Sequence, residues 1–246
     1  MSAAPVVLVH PDAPSVAAMV ASRLLATVQD ALAERGRADC ALTGGSMGSA
    51  LVAALAEHPG RAAVDWTRVH LWWGDERYLP AGDPERNDTQ NDAAGLGSLP
   101  LLPEHVHRVP GPDASGSAEE AAAVYEESLR SFGGGEWDVV LLGVGPDGHV
   151  ASLFPGHPAQ LNNSGLAVAV HDSPKPPPTR VSLTAECLSR AREVWFVVAG
   201  RDKAEAVAKG VSGAGPQESS AAQVHGIERT LWLVDEAAAT MVQQDD

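Results

Sequence analysis

The sequence is poor in cysteine and in basic residues, and both shortages exclude classes of protein. Two cysteines, Cys40 and Cys187, lie in or beside apolar segments, which favours reduced core thiols over a disulfide framework or a metal site. Lysine and arginine number 17 against 32 acidic residues, a formal net charge of −15. Nucleic acids and anionic membranes require a basic surface, so we expect neither as a partner.

A basic leader followed by a long apolar stretch is also missing, and no apolar run is long enough to span a bilayer. These absences predict a cytoplasmic protein. The length of 246 residues fits one large α/β domain or two small ones, and we expect a single domain over 1–246 with a sizeable core. We expect a monomer or a small homo-oligomer.

Short apolar segments alternate with helix-like segments along the whole chain. Strands are predicted at 6–9, 38–42, 69–73, 139–142, 166–170, 179–184, 193–199 and 230–234. Helices are predicted at 15–35, 50–57, 117–132, from about 203, and in a short alanine-rich stretch at the end. This alternation predicts a Rossmann-like α/β domain, a mostly parallel sheet flanked by helices. Ligand loops in such domains lie at the carboxyl ends of the strands.

The most informative stretch is 141–156, LLGVGPDGHVASLFPG. An apolar strand stops at a glycine-rich turn, and a helical turn is predicted over 149–154, which places Asp147 and His149 in the loop beyond the strand. Glycines allow a loop to close around a small molecule, and histidine exchanges protons near neutral pH. The alternative is an ordinary turn with a solvent-facing aspartate and a histidine bonded to the backbone.

The same loop has the spacing Gly-x-Gly-x-x-Gly at Gly143, Gly145 and Gly148, which is a weak signal for dinucleotide binding. Its position past the middle of the chain, Pro146 inside the turn, and the lack of an acidic residue ending a following strand disfavour that interpretation. We therefore do not expect a dinucleotide at this loop.

Other strands also end in polar groups. Gly44, Gly45 and Ser46 lie between a strand and a helix, where backbone N–H groups and a hydroxyl can bind an anion. Alternatively, Ser46 is only the helix N-cap.

Asp75, Glu76 and Arg77 follow the buried strand 69–73, whose tryptophans are expected on opposite sheet faces. The polar segment 79–91 is predicted to be a long loop or lid.

Arg180 is predicted on a half-exposed strand, and Lys203 in the first turn of a helix, where a cation suits the helix dipole only if an anion lies nearby. Because these groups follow five different strands, we expect them to converge at one edge of the sheet. Cations, a hydroxyl and an Asp-Gly-His loop together predict an enzyme acting on a sugar phosphate.

These segments resemble the 6-phosphogluconolactonase family over almost the whole chain and in the family's order. The matching stretches are TGGS at 43–46, GDER at 74–77, the stretch at 141–156, TRVSLT at 179–184, GRDKA at 200–204 and TLWLVDEAAA at 230–239. The related glucosamine-6-phosphate isomerase/deaminase group shares several of them. In that group, however, a glutamate that helps ring opening stands where this chain has Phe154. Phenylalanine carries no proton, so the resemblance favours the lactonase.

The resemblance implies hydrolysis of 6-phospho-D-glucono-1,5-lactone, a carboxylic ester hydrolase reaction of the pentose phosphate pathway, without metal or organic cofactor. The chemistry agrees, because ester hydrolysis requires an activated water, for which His149 is the expected base, and Asp147 is expected to orient this loop. Arg77 is our first choice as donor to the oxyanion, and Asp75 is assigned a substrate hydroxyl or water contact.

The resemblance also implies that the substrate phosphate lies against Gly44, Gly45 and Ser46, with Arg180 and Lys203 closing on it. Lys175 stays open between a loop cation and a substrate contact. The segment 216–225 departs from the family pattern, so no contact is transferred to it. The alternative functions are a glucosamine-6-phosphate deaminase and a non-enzymatic sugar-phosphate-binding module.

Overall fold

A computed structural model describes residues 4–133 and 135–242, and its strands form two sheets. The larger sheet has six parallel strands in the order β1-β9-β8-β5-β2-β3, and the smaller has three antiparallel strands in the order β4-β7-β6. The strands are β1 Val6–His10, β2 Ala38–Leu42, β3 Val69–Trp73, β4 Asp75–Arg77, β5 Val139–Leu142, β6 Ala167–Val170, β7 Arg180–Leu183, β8 Glu193–Val198 and β9 Arg229–Asp235.

Helices connect the strands. They are α1 Ala13–Arg35, α2 Gly45–Glu57, α3 Asn87–Ala93, α4 Ala118–Phe132, α5 Ala185–Leu188 and α6 Ala204–Val211. The predicted α/β domain with a mostly parallel sheet flanked by helices is therefore confirmed. The predicted glycine run after α4 includes Gly134, which lies outside the described residues.

The central strands β5 and β8 of the larger sheet are buried throughout, and both consist almost entirely of apolar residues, as expected for parallel strands covered on both faces. Alternate residues of one strand enter different clusters of core side chains: Val140 and Leu142 join one, and Val139 and Leu141 join the other. Trp72 and Trp73 divide in the same way, which confirms that they pack on opposite faces.

Helix α1 has the length and composition of a helix that could cross a membrane, so the expectation that no such segment exists was wrong. Its apolarity comes from the face that packs on the larger sheet, where residues such as Val16, Val20 and Leu24 are buried. A helix that buries an apolar face in the core of a folded protein can have the same length and apolar composition as a membrane-spanning helix.

Gly74 joins the two sheets. Its N–H donates to the carbonyl of Leu42 at the end of β2 (3.0 Å), and its carbonyl accepts from the N–H of Leu183 in β7 (2.8 Å). The chain therefore passes from β3 into β4 without a loop, and Asp75 and Arg77 enter the smaller sheet directly.

The structure corrects several expectations about local structure. Residues 149–154 form turns instead of a helical turn, because Ala151 has φ 49° and the N–H of Ser152 is bonded to the hydroxyl of Ser182 (3.2 Å). The alanine-rich end, 236–242, also forms turns. The strand with Arg180 is buried throughout, not half-exposed, because β7 lies between β4 and β6.

The segment 79–91 is only partly a loop, because it contains the start of α3, where Asn87, Asp88 and Asn91 are buried. Helix α2 begins at Gly45, five residues earlier than predicted, so the glycine loop is already part of its first turn.

Candidate functional site

A cavity of about 210 Å³ lies at the carboxyl ends of the parallel strands, between the two sheets. All the predicted site residues except Asp147 line it. The lining residues are Thr43, Gly44, Gly45, Ser46, Met47, Asp75, Arg77, Asn87, Gly143, Val144, Gly145, His149, Ala151, Lys175, Arg180, Val197, Val198, Ala199 and Lys203. The expectation that loops after separate strands converge therefore agrees with the geometry.

The first turn of α2 provides backbone donors to this cavity. Gly44 is the N-cap and no side chain caps the helix, so Ser46 is not the N-cap and its exposed hydroxyl borders the cavity. Gly45 has φ 73°, a backbone conformation that favours glycine. An uncapped helix start with a free hydroxyl is suited to binding an anion.

The loop after β5 holds an aspartate–histidine pair. His149 Nδ1 lies 2.5 Å from Asp147 Oδ1, and Lys175 Nζ lies 3.8 Å from the same oxygen. The His149 ring also packs on Phe154, with ring centroids 4.5 Å apart. The hydrogen bond at Nδ1 and the contact with Phe154 together fix the orientation of the His149 ring. The other ring nitrogen, Nε2, remains available to a ligand in the cavity.

The Asp147 carboxyl is partly buried, which alone raises its pKa. The hydrogen bond from His149, with the charges of His149 and Lys175, outweighs this and lowers the pKa of Asp147 to about 2. Asp147 is therefore ionised at every pH at which an enzyme of this kind works, and it favours a proton on His149 Nδ1.

On the other side of the cavity, Asp75 and Arg77 are held by hydrogen bonds. Asp75 Oδ2 accepts from the Ser152 hydroxyl (2.6 Å), and its Oδ1 accepts from the Asn87 amide (3.2 Å). Arg77 Nη1 donates to the Asn87 amide oxygen (2.7 Å) and to the carbonyl of Glu85 (2.7 Å).

The cations of the cavity differ in how they are held. Arg180 is buried, and its guanidinium donates to the carbonyls of Lys175, Pro176 and Pro177 at 3.1–3.2 Å. Burial lowers the pKa of Arg180, and the nearby charge of Arg77 acts in the same direction.

Lys203 lies just before α6, with its nitrogen 3.3 Å from the exposed carboxylate of Asp202. Burial likewise lowers the pKa of Lys175, and Lys203 and Arg180 add to this by repulsion. Mutual repulsion of cations is relieved when an anion binds between them.

Asn87 and Lys175 line the cavity with polar side chains that were given no role from the sequence. Asn87 lies in the segment interpreted as a lid, and nothing in its neighbourhood marks it as different from the other polar residues there. Lys175 was left open, and its position in the cavity beside Asp147 supports the substrate-contact alternative.

The segment 216–225 is hydrogen-bonded to the loop that holds Asp147 and His149, called the histidine loop from here on. The N–H groups of Ser220 and Ala221 both donate to the carbonyl of Gly148, at 3.0 and 3.1 Å. A hydrogen-bonded backbone under Gly148 explains how this loop keeps its shape without a following helix.

The geometry of this loop does not suit a dinucleotide. In the dinucleotide fingerprint the glycines lead into a helix whose N-terminus binds the pyrophosphate, whereas here turns follow Gly148. Within 4–133 and 135–242, no group of three or more histidine, cysteine, aspartate or glutamate residues is arranged to hold a metal ion.

Comparisons with known proteins agree with the resemblance. A sequence profile described as glucosamine-6-phosphate isomerases/6-phosphogluconolactonase matches residues 11–232. The chain is 49% identical to a 6-phosphogluconolactonase of Streptomyces coelicolor, over 98% of this chain and 96% of the relative. It is 42% identical to a 6-phosphogluconolactonase of Mycobacterium tuberculosis, over 94% and 96%. Among solved structures, a 6-phosphogluconolactonase from Thermotoga maritima superposes with a TM-score of 0.83 at 26% identity, covering 94% of this chain and 100% of that one.

Proposed function

The chain belongs to the glucosamine-6-phosphate isomerase/6-phosphogluconolactonase family, and on that premise we propose that it hydrolyses 6-phosphogluconolactone to 6-phosphogluconate. The reaction is an ester hydrolysis in the oxidative pentose phosphate pathway. The observation that carries the proposal is that His149, paired with Asp147, lines a cavity bordered by four cationic side chains, Arg77, Lys175, Arg180 and Lys203.

His149 is the proposed base. With its Nδ1 proton donated to the ionised Asp147, the Nε2 lone pair is free to accept a proton from a water molecule. As that proton moves to Nε2, the water oxygen bonds to the lactone carbonyl carbon. General base catalysis of this kind contributes about 10²–10⁴-fold.

Attack places a negative charge on the former carbonyl oxygen, and Arg77 is the proposed donor to it. The tetrahedral intermediate then collapses, the bond between the carbonyl carbon and the ring oxygen breaks, and the ring oxygen takes the proton from His149 Nε2. The products are a carboxylic acid, which ionises, and the open-chain hydroxyl. His149 is neutral again at the end of the cycle.

The substrate phosphate is proposed to bind at the first turn of α2, against the N–H groups of Gly44, Gly45 and Ser46 and the Ser46 hydroxyl. Arg180 and Lys203 approach the phosphate from the other strands. Lys175 links this set to the histidine loop through Asp147. Asp75, whose oxygens already hold Ser152 and Asn87, is proposed to contact a substrate hydroxyl or water.

The deaminase alternative would require an acidic group that helps to open a sugar ring. Phe154 occupies the position expected for it from the resemblance, and its buried ring packs against His149 and lies 5.7 Å from the Arg180 guanidinium carbon. A packed aromatic ring cannot transfer a proton, so this observation favours the lactonase.

The test uses lactone generated in situ and follows acid release in weak buffer against spontaneous hydrolysis, with glucosamine 6-phosphate and ammonia detection in parallel. We expect accelerated lactone hydrolysis and no ammonia. Ammonia release would support the deaminase, and binding of 6-phosphogluconate without turnover would support a binding module.

We predict that His149→Ala reduces kcat by about 10²–10⁴-fold, because no other group replaces the base, while affinity for 6-phosphogluconate is retained. The matched control is His171→Ala, an exposed histidine that pairs with Glu119 outside the cavity lining, which should keep wild-type kcat. Full turnover by the His149 variant would show that this residue is not the base.

We also propose a cytoplasmic location and a monomeric or small oligomeric state. Cell fractionation tests the location, and sedimentation tests the oligomeric state.

A further inference from the structure

We propose that Asn87 is a positioning residue of this site, one that sets Arg77 and Asp75 relative to each other. The inference rests on the proposed function, because its effect is measured on lactone hydrolysis. Asn87 is the first residue of α3, 2% exposed, and borders the cavity.

The amide of Asn87 bridges two charged groups. Its oxygen accepts from Arg77 Nη1 at 2.7 Å, and its nitrogen donates to the Asp75 carbonyl at 2.9 Å and to Asp75 Oδ1 at 3.2 Å. Only one orientation of the amide satisfies both sides, since the oxygen must face the guanidinium and the nitrogen must face the carboxylate. No hydrocarbon side chain can hold both partners.

Asn87 is itself fixed by a buried carboxylate. Glu76, 1% exposed, accepts from the backbone N–H of Arg77 (2.8 Å) and of Asn87 (2.7 Å) through Oε1, and from that of Asp88 (2.9 Å) through Oε2. Burial and the charge of Asp88 raise the pKa of Glu76, and the backbone donors of Asp88 and Asn87 oppose the rise. One carboxylate therefore ties the strand that bears Arg77 to the helix that bears Asn87.

The side chain of Asn87 also packs against Gly44, with no room for a Cβ atom between them. Asn87 thus contacts the proposed phosphate loop on one side and the proposed oxyanion donor on the other. A guanidinium that is free to rotate stabilises a developing charge less well, because its orientation must then be restricted during the reaction.

The consequence is a loss of kcat with little change in KM, because ground-state binding of the phosphate does not depend on Arg77. A displacement of about 1 Å at a reacting centre can cost on the order of 10²-fold. We therefore expect Asn87→Ala to lower kcat by about 10- to 100-fold and to change KM by less than about threefold.

Asn91 supplies the matched control. It lies four residues further along α3, is also buried, and accepts from Trp73 Nε1 at 2.8 Å, but it does not line the cavity. Asn91→Ala removes a buried hydrogen bond from the same helix, so we expect a lower melting temperature with wild-type kcat. Equal losses of kcat in both variants would assign Asn87 a merely structural role and overturn the proposal.

A double-mutant cycle tests whether Asn87 acts through Arg77. In an Arg77→Met background, Asn87→Ala should reduce kcat by less than about twofold, because the proposed oxyanion donor that it positions is gone and Asp75 is assigned only a substrate hydroxyl or water contact. The same loss in both backgrounds would overturn the proposal.

If Asn87→Ala does not fold, as judged by circular dichroism, Asn87→Leu is used in the cycle instead, because leucine preserves the side-chain volume. Failure of the proposed function is distinct, since the wild type itself would not accelerate lactone hydrolysis.

Discussion

At the scale of single residues, the packing of the histidine loop requires glycine at position 145. A Cβ atom on Gly145 would overlap the His149 ring and the Asp147 carboxylate, whereas a Cβ atom on Gly143 would lie 3.6 Å from the Thr43 hydroxyl, an ordinary contact. Neither glycine has a positive φ, so an alanine changes packing at both positions and leaves the backbone conformation allowed.

We therefore predict that Gly145→Ala lowers kcat by on the order of 10²-fold through displacement of His149, while Gly143→Ala costs less than about threefold. Steady-state kinetics on both variants, with circular dichroism to verify folding, make the comparison. Similar kinetics for the two variants would mean that the loop yields to the added atom and that His149 is not held as described.

Some residues of the candidate site could be predicted from the sequence and others could not. His149, Asp147, Ser46 and Lys203 could be selected because each follows an apolar strand and has a side chain with obvious chemistry. Asn87 could not be selected in this way, because its proposed role depends on hydrogen bonds to residues ten and twelve positions away and not on any local pattern.

At the scale of elements, long apolar strands were predictable and short polar ones were not. Strands β2, β3 and β5 are buried almost throughout and consist mainly of apolar residues, which marks them in the sequence. Strand β4 is three residues long and reads Asp-Glu-Arg, a composition that indicates a loop. Its pairing with β7 is a tertiary effect that overrides local preference.

Two buried histidines, His70 in β3 and His107 next to it, make the free energy of unfolding depend on pH. His70 Nδ1 and His107 Nε2 are 2.9 Å apart, and the His107 ring stacks on Trp72. Burial, with the charge of Arg37 and of neighbouring histidines, lowers the pKa of His70 to about 3 and that of His107 to about 4. Both histidines are therefore neutral in the folded protein at pH values where the unfolded chain is protonated.

The sign of the pH effect follows. Below the unfolded pKa of about 6.5, the unfolded chain binds protons that the folded protein excludes, so the free energy of unfolding decreases as the pH falls from 7 towards 4. We predict a loss of about 1 kcal/mol for each of the two histidines between pH 7 and pH 5.5.

Urea unfolding at these two pH values provides the measurement. His107→Phe should show a smaller decrease than the wild type, whereas His225→Gln, at an exposed position, should show the same decrease. An identical pH dependence in the wild type and the His107 variant would contradict the prediction.

At the scale of the whole molecule, the two clusters of core side chains are two faces of one sheet. Strand β8 places Phe196 and Val198 in one cluster and Trp195 and Val197 in the other. The smaller sheet joins the first cluster through Val181 and Leu183. Neither cluster can be exposed without removing strands from the other, so we propose a single domain over 1–246.

This proposal predicts one unfolding transition. Tryptophan fluorescence, with Trp72 and Trp73 in different clusters, and far-ultraviolet circular dichroism should report the same midpoint in urea. Separate midpoints for the two probes would divide the chain into two units and contradict a single domain.

The position of Gly74 between the two sheets also bears on the size of molecule that the cavity accepts. Gly74 is bonded to Leu42, two residues before the proposed phosphate loop at Gly44, and it directly precedes the strand that ends in Arg77. Backbone hydrogen bonds therefore fix the proposed phosphate loop relative to the strand that bears Arg77, the proposed oxyanion donor. If both roles are as proposed, the separation of the two segments selects for substrate length, and we predict slower hydrolysis of a lactone whose chain is one carbon shorter or longer.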